Sequence, residues 1–369
     1  MAASGISGDE PLGDAPPRRG LRLLAVSYFA LIALLILFGV VVVMFGDPRT
    51  GEPTVHLVLA QRPQVAVKTP APPVPPPPAA APVTGEPALP PAIVPSTINQ
   101  AVYAGRALVA DPALIESTDN GPLPKIAADG TPPMRAYAAP ALDEGKPRIA
   151  IVISGLGISA KMTAAALASL PPQVTLAFAP YAGDVQRWVA EARREGHEVL
   201  LEVPMEPFDF PDSDPGPHTL RSGVGEDANT ERLVWSLTRF TGYTGVTNLL
   251  GGRFLSDSDS LEPVLTYLSR RGLLFFDNGA ANRSAAPDVA ARTGTSFAQA
   301  TLTIDKIQTA MEIDRQLSEL ENTARAHGSA SGAGFIYPVT VERVAQWAQG
   351  LPGRGFVLVP ASAIVLPKK

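Results

Sequence analysis

The chain has 369 residues, with 30 lysines and arginines against 35 aspartates and glutamates, 39 prolines and no cysteine. The absence of cysteine excludes disulfides, thiolate metal sites and a cysteine nucleophile. A net charge of −5 without a basic block gives nucleic acid nothing to bind, and no nucleic-acid partner is expected.

The first element in chain order is an uncharged apolar run from Leu23 to Phe45, which as a helix would be roughly 34 Å long, enough to cross a bilayer. Arg18, Arg19 and Arg22 precede it, and Asp47, Arg49 and Glu52 follow. That bias predicts a cytoplasmic tail over 1–20, a single transmembrane helix over 21–45 and everything after it outside the inner (plasma) membrane, periplasmic or extracellular. No small-x-small cleavage site follows cleanly, so an uncleaved anchor is expected rather than a signal peptide. From 46 to 147 the chain is rich in proline and alanine, centred on "TPAPPVPPPPAAAPVTGEPALPPAIVPS". Proline fixes φ and removes donors, so this stretch reads as a disordered, extended linker. Its 69–95 portion alone would reach on the order of 80 Å as polyproline II. "LPKIAADG" and "MRAYAAP" carry isolated apolar residues that leave open a strap onto the following domain.

From 148 to 369 short apolar runs alternate with helical segments. Strands are expected at 149–153, 174–178, 198–203, 245–250, 273–277, 298–303, 333–337 and 356–360, most with little polar alternation, as in strands buried on both faces. Asp184 can cap a helix running to Glu195, and Asp259 with Glu262 and Pro263 marks another helix start. Over 305–327, Ile313, Leu317, Leu320 and Ala324 share one helical face and Gly328 ends it. Such alternation predicts an α/β domain with a parallel sheet and crossover helices, either a barrel or an open doubly wound sheet.

The first strand runs into "GLGISA" (155–160), the spacing of a dinucleotide fingerprint. That chemistry wants an acid about 20 positions further on to hold a ribose, but the second strand ends in Ala179-Pro180 and Asp184 lies well beyond. A tight turn needing Gly155 and Gly157 for their backbone is the simpler reading.

Taken together, "VTLAFAPYA" (174–182), "GHEVLLEVPMEP" (196–207), "GVTNLLGGRF" (245–254), "RGLLFFDNG" (271–279) and "GFIYP" (334–338) resemble the divergent polysaccharide deacetylase family in order and spacing, over roughly 148–366. The resemblance implies a deformed (β/α) barrel of seven to eight parallel strands. It also implies a divalent metal, usually zinc, that serves removal of N-acetyl groups from sugars. The same resemblance marks departures. Where the family's first strand commonly ends in paired aspartates, this chain has Ser154 and Gly155. Glu202, Leu249 and Tyr337 stand where histidines are expected, whereas Asp277, Asn248, Arg253 and Asp305 keep the family's polar positions.

Metal-assisted amide hydrolysis needs an ion with an open position, commonly held by imidazoles and a carboxylate. Leucine offers no donor, and the histidines present give little rescue: His56 lies in the linker, His327 ends a helix, His218 sits in a long loop and His197 precedes a strand at the end opposite to the one that builds sites in such folds. No metal site or cofactor is therefore assigned; zinc or another divalent metal belongs to the reading in which the chain is active. In that reading Glu202, Glu206 and Asp277 face one mouth, with Asp257 nearby, and suit magnesium, calcium or manganese better than zinc. The candidate catalytic residues are Asp277, Glu202, Asn248 and Arg253; the candidate ligand-binding residues are Ser154, Gly155, Glu206, Asp257, Asp305 and Tyr337. Arg253 is expected to pair with Asp257. Phe208, Phe210, Tyr243 and Tyr337 are candidates for a sugar-stacking face, while Trp188 and Trp235 are expected to pack against the barrel.

Three readings follow. The first is a membrane-anchored, outward-facing member of the family with lost or altered catalysis that binds a cell-envelope polysaccharide or envelope protein. The second is an active N-deacetylase with a rearranged carboxylate site. The third is a nucleotide-dependent enzyme using Gly155 and Gly157.

Overall fold

A computed structural model describes residues 110–141 and 145–365, together with Tyr28, Leu31, Ile32 and Leu34. The expected cytoplasmic tail, the linker as far as 109 and all but those four positions of the 21–45 span lie outside the described residues. Among the described residues no helix is long and apolar enough to cross a membrane.

The segment expected as disordered linker to 147 carries regular structure in its described part, from 110 onward. Asp111 caps a short 3-10 turn by accepting the Ala113 N–H at 2.9 Å. An antiparallel hairpin of β1 (Ile115–Thr118) and β2 (Gly121–Pro124) follows, then one helical turn, α1 (Pro133–Ala136). The isolated apolar residues explain the correction: Leu114, Leu123 and Tyr137 are each only 2 % exposed. Burying such side chains offsets the cost of ordering a proline-rich chain. Arg271 fastens the hairpin through its guanidinium to the Glu116 carboxylate and the Pro124 carbonyl.

The main unit runs β3 (Arg148–Leu156), α2 (Ala160–Ser169), β4 (Thr175–Phe178), α3 (Val185–Arg194), β5 (Val199–Met205), α4 (Glu226–Leu237), β6 (Gly245–Leu250), α5 (Ser258–Arg270), β7 (Leu274–Asp277), α6 (Ala286–Thr293), β8 (Ser296–Gln299), β9 (Leu302–Thr303), α7 (Ala310–His327), β10 (Ser329–Phe335), α8 (Pro338–Gly350) and β11 (Val357–Val359). The strands lie in the order β8-β7-β6-β5-β4-β3-β10-β9, all parallel, with β11 also against β3. The run expected as one strand over 298–303 is broken at Ala300 and Thr301, whose N–H groups reach the Asp277 and Ser331 carbonyls instead. Because β8 and β9 are the two ends of the path and only these two residues join them, the sheet curls until its ends meet. A curled half-barrel thus replaces the open alternative.

Register sorts the side chains. Ile149, Ile151 and Ile153 of β3 lie in the large core under the helices, whereas Val152, Ala177, Leu200, Leu274, Phe276, Ala298 and Ala333 form a second cluster inside the curl. The inner set is mostly small, so the interior is packed rather than hollow. Met134 of the strap and Ile364 near the C-terminus pack against this cluster from the amino end. Glu198 fastens both segments there: its carboxylate accepts from Ala139 N at 3.3 Å, Thr175 Oγ1 at 3.4 Å, and the N–H and hydroxyl of Ser362 at 3.0 and 2.5 Å. The carboxyl ends of the strands remain as the mouth.

Candidate functional site

β3 delivers Ser154 and Gly155 to the mouth. Gly155 has φ +87°, and a Cβ placed on it would come within 2.3 Å of Phe335 Cζ. Phe335 reaches that spot because β10 pairs with β3 so that Phe335 stands beside Ser154. The ring therefore fills the space that any side chain at 155 would need. Asp305 fixes this arrangement from behind, its carboxylate accepting the Phe335 N–H at 2.7 Å and the Thr340 hydroxyl at 2.9 Å. Burial raises the Asp305 carboxyl above its ordinary range. Tyr337 is the extended residue just before α8, and its half-buried ring lies 5.0 Å from that of Phe335.

The glycine loop has its amides already engaged. Gly155 N donates to Glu202 Oε1 at 2.5 Å and Gly157 N to the buried Thr163 hydroxyl at 2.9 Å. A Cβ at Gly157 would meet that of Ala182 at 2.5 Å. These glycines serve close packing and a tight turn rather than a pyrophosphate cradle.

Glu202 is fully buried. Burial pushes its carboxyl up to about 7, and the Gly155 N–H and the Ser154 hydroxyl only partly offset that rise. Its other oxygen, Oε2, has no hydrogen-bond partner, and neither has the hydroxyl of Thr247, which stands opposite Glu202 in the β5–β6 register. Ser154, Gly155, Glu202, Thr247 and Phe335 thus form one constellation, of which sequence reasoning found the first three.

The remaining candidates do not join it. Asp277 Oδ1 accepts the Gly279 N–H at 2.9 Å and Oδ2 the Gln299 amide at 3.1 Å. Burial raises its carboxyl. Its geometry is that of a strand-end turn. Asn248 makes a reciprocal pair with Asn278: its Oδ1 accepts the Asn278 N–H at 2.9 Å, and its carbonyl accepts the Asn278 side-chain amide at 2.7 Å. Its own amide donates to Asn278 Oδ1 at 2.7 Å and to the Leu250 carbonyl at 2.6 Å, which latches β6 to β7.

The expected Arg253–Asp257 pair is not formed. Arg253 lies 3.7 Å from Glu206, while Asp257 caps α5 by accepting from the Ser260 hydroxyl at 2.7 Å and the Asp259 N–H at 3.2 Å. A capping carboxylate already saturated by its own helix has little reason to turn outward, and Asp257 replaces Asp259 as the cap. Those bonds, the Ser260 hydroxyl first, hold its carboxyl below the ordinary range. Glu206 binds the long β5–α4 loop through the Ser222 N–H at 2.7 Å.

Among the aromatics, Tyr243 is buried, its hydroxyl donating to the Leu237 carbonyl at 2.8 Å, and is no sugar platform. Trp188 is buried as expected. Trp235 is only half-buried and stacks on His218 at 3.6 Å, a contact that ties the loop to α4. His197 sits at the amino end, with Nδ1 against the Val174 carbonyl, and burial lowers its pKa to about 4.

Residues 151–365 match the sequence profile described as divergent polysaccharide deacetylase. The chain belongs to that family. Over 219 residues it is 27% identical to YibQ, an uncharacterised Escherichia coli protein, covering 59% of this chain and 67% of that one. An uncharacterised Haemophilus influenzae protein is 25% identical over 205 residues, 56% of this chain and 72% of that one. Among solved structures, an uncharacterised Agrobacterium tumefaciens protein is 41% identical, with a TM-score of 0.65, covering 66% of this chain and 100% of the other.

In this divergent polysaccharide deacetylase domain the residues present do not fit the metal that the resemblance implies. Among the described residues no three histidine, aspartate or glutamate side chains stand close enough to share an ion. Glu202 is the one carboxylate in the constellation, and one of its oxygens is engaged by a backbone amide. Leu249 has no donor atom, and Phe335 fills the place beside Gly155.

Proposed function

We propose that this protein is a membrane-anchored envelope protein whose deacetylase-family barrel binds a cell-envelope polysaccharide or envelope protein without hydrolysing it. The observation that carries the reading is the Phe335 ring lying where a side chain at 155 would project. A family carboxylate at that position could not be restored without moving the ring. The engaged oxygens of Asp277 and Asp257 support the same reading, since neither carboxylate is left to assemble a substitute site. Anchoring rests on the 21–45 apolar run and its preceding arginines, which orient the barrel to the periplasmic or outer side.

The competing reading is an active N-deacetylase using Glu202 and Asp277. Purified full chain is incubated with N-acetylated peptidoglycan fragments, with and without added zinc or manganese, while acetate release and retention on insoluble peptidoglycan or envelope extract are followed. Retention without acetate supports the proposal. Acetate release abolished by Glu202→Gln overturns it, and so does the absence of both retention and release.

A further inference from the structure

Within residues 145–365 the exposed large apolar side chains are Ile158, Tyr181, Phe208, Leu250, Ile307 and Met311. All six belong to one end of the fold. Ile158 lies just past β3, Tyr181 past β4 and Phe208 past β5; Leu250 closes β6, while Ile307 and Met311 follow β9. The loops at the amino end contribute none of the six, and the strap adds one exposed apolar side chain there, Ile126 beside Gly272, at 39 %. Scattered exposed apolar residues are ordinary, but a set confined to one face marks an interaction surface. Phe208 is 67 % and Ile307 57 % exposed. Leu250 holds φ +58°, an unfavourable backbone for a branched side chain, fixed by the Asn248 amide on its carbonyl.

Charge selects the occupant. On the β5 side of the mouth the loop after Phe208 carries Asp209, Asp212 and Asp214; Lys306 follows β9 and Lys161 follows β3. Along a strand path whose ends meet, β5 and β9 lie on opposite sides of the curl. Among the described residues none of these five charges has an ion-pair partner within its own chain. We infer that the mouth is a self-association surface, on which a second copy of this chain docks mouth to mouth. A two-fold axis then sets the acidic β5 side of each copy over the Lys306 side of the other, with Phe208 and Ile307 between them, as an isologous contact requires. An anionic lipid surface would instead repel the acidic loop. The inference rests on the reading that the mouth no longer performs hydrolysis.

The chain has no cysteine, so engineered ones are unique. Full-length Phe208→Cys and Ile307→Cys chains are mixed and mildly oxidised, with Ile126→Cys on the strap as control. A Phe208–Ile307 cross-linked dimer is expected, and no dimer from the control. Reversing Asp209, Asp212 and Asp214 to Lys, or Lys161 and Lys306 to Glu, is expected to weaken association by about tenfold or more. Mixing the two reversed chains restores it, because both contacts are then complementary. Cross-linking no greater than the control, or indifferent to charge reversal, overturns the inference. A monomer that releases no acetate overturns this inference alone; a monomer that does release acetate overturns the proposed function as well.

Discussion

Glu202→Gln keeps the shape of the side chain and its bond from the Gly155 N–H, and removes the one ionisable group in the constellation beneath the mouth. In the unfolded chain this carboxyl ionises near its ordinary 4.5; in the folded barrel, burial moves it to about 7. The folded state therefore holds the proton more tightly. Below 4.5 both states are protonated and the group adds no penalty. As pH rises from 4.5 to 7 the unfolded chain ionises first and stability falls; above 7 both are ionised and the loss is complete. At roughly 1.4 kcal/mol per pH unit, the wild-type barrel loses about 3 kcal/mol from this residue across that window. Urea unfolding of wild type and Glu202→Gln at several pH values from 4 to 8 isolates the effect. The advantage of the glutamine variant should grow by about 3 kcal/mol with rising pH and level off past neutrality. Parallel stability curves, with a difference independent of pH, would refute the buried, weakly compensated carboxyl.

Gly155→Asp should lose about 3 kcal/mol or more, because it adds a side chain at positive φ against Phe335; combined with Phe335→Ala the loss should be smaller than the sum, a coupling read from a double-mutant cycle in urea. Asn248→Ala breaks the reciprocal amide pair with Asn278 and should cost about 2 kcal/mol, with faster hydrogen exchange at Asn278 as the local readout. Arg271→Ala should free the hairpin, so that amides of 115–124 exchange faster while the strands of the barrel keep their protection.

The barrel strands were legible because buried parallel strands must be continuously apolar, and the "VLL" of β5 or the "LLFF" around β7 leave no other reading. The break at Ala300 and Thr301 was not, since nothing in an apolar run records that its amides bond to two different neighbours. The strap was hidden for the opposite reason. Its prolines announce an extended chain, while three well-placed apolar side chains decide that it docks. At the site, the replacement of the family's expected aspartates and histidines at 154, 155, 249 and 337 could be read directly. The partner that fills the gap could not, because the contact between Gly155 and Phe335 depends on the β3–β10 register across most of the domain. The small residues of "SASGAG" were the available signal: Gly332 and Gly334 leave no room for a Cβ beside Ile304, which marks β10 as a strand drawn unusually close to its neighbours. The Asn248–Asn278 latch likewise needed two strand ends in register.

The strap's first fastening also has a directional meaning. The Asp111 backbone N–H donates to the Tyr137 hydroxyl, and Tyr137 in turn lies under Arg193, with its carbonyl held by the Thr244 hydroxyl just before β6 begins. A pull transmitted along the backbone into residue 110 therefore arrives at the floor of the curl, through a buried aromatic wedge rather than through the rim loops. A load entering there is borne by the base of the domain, at the end opposite its open face.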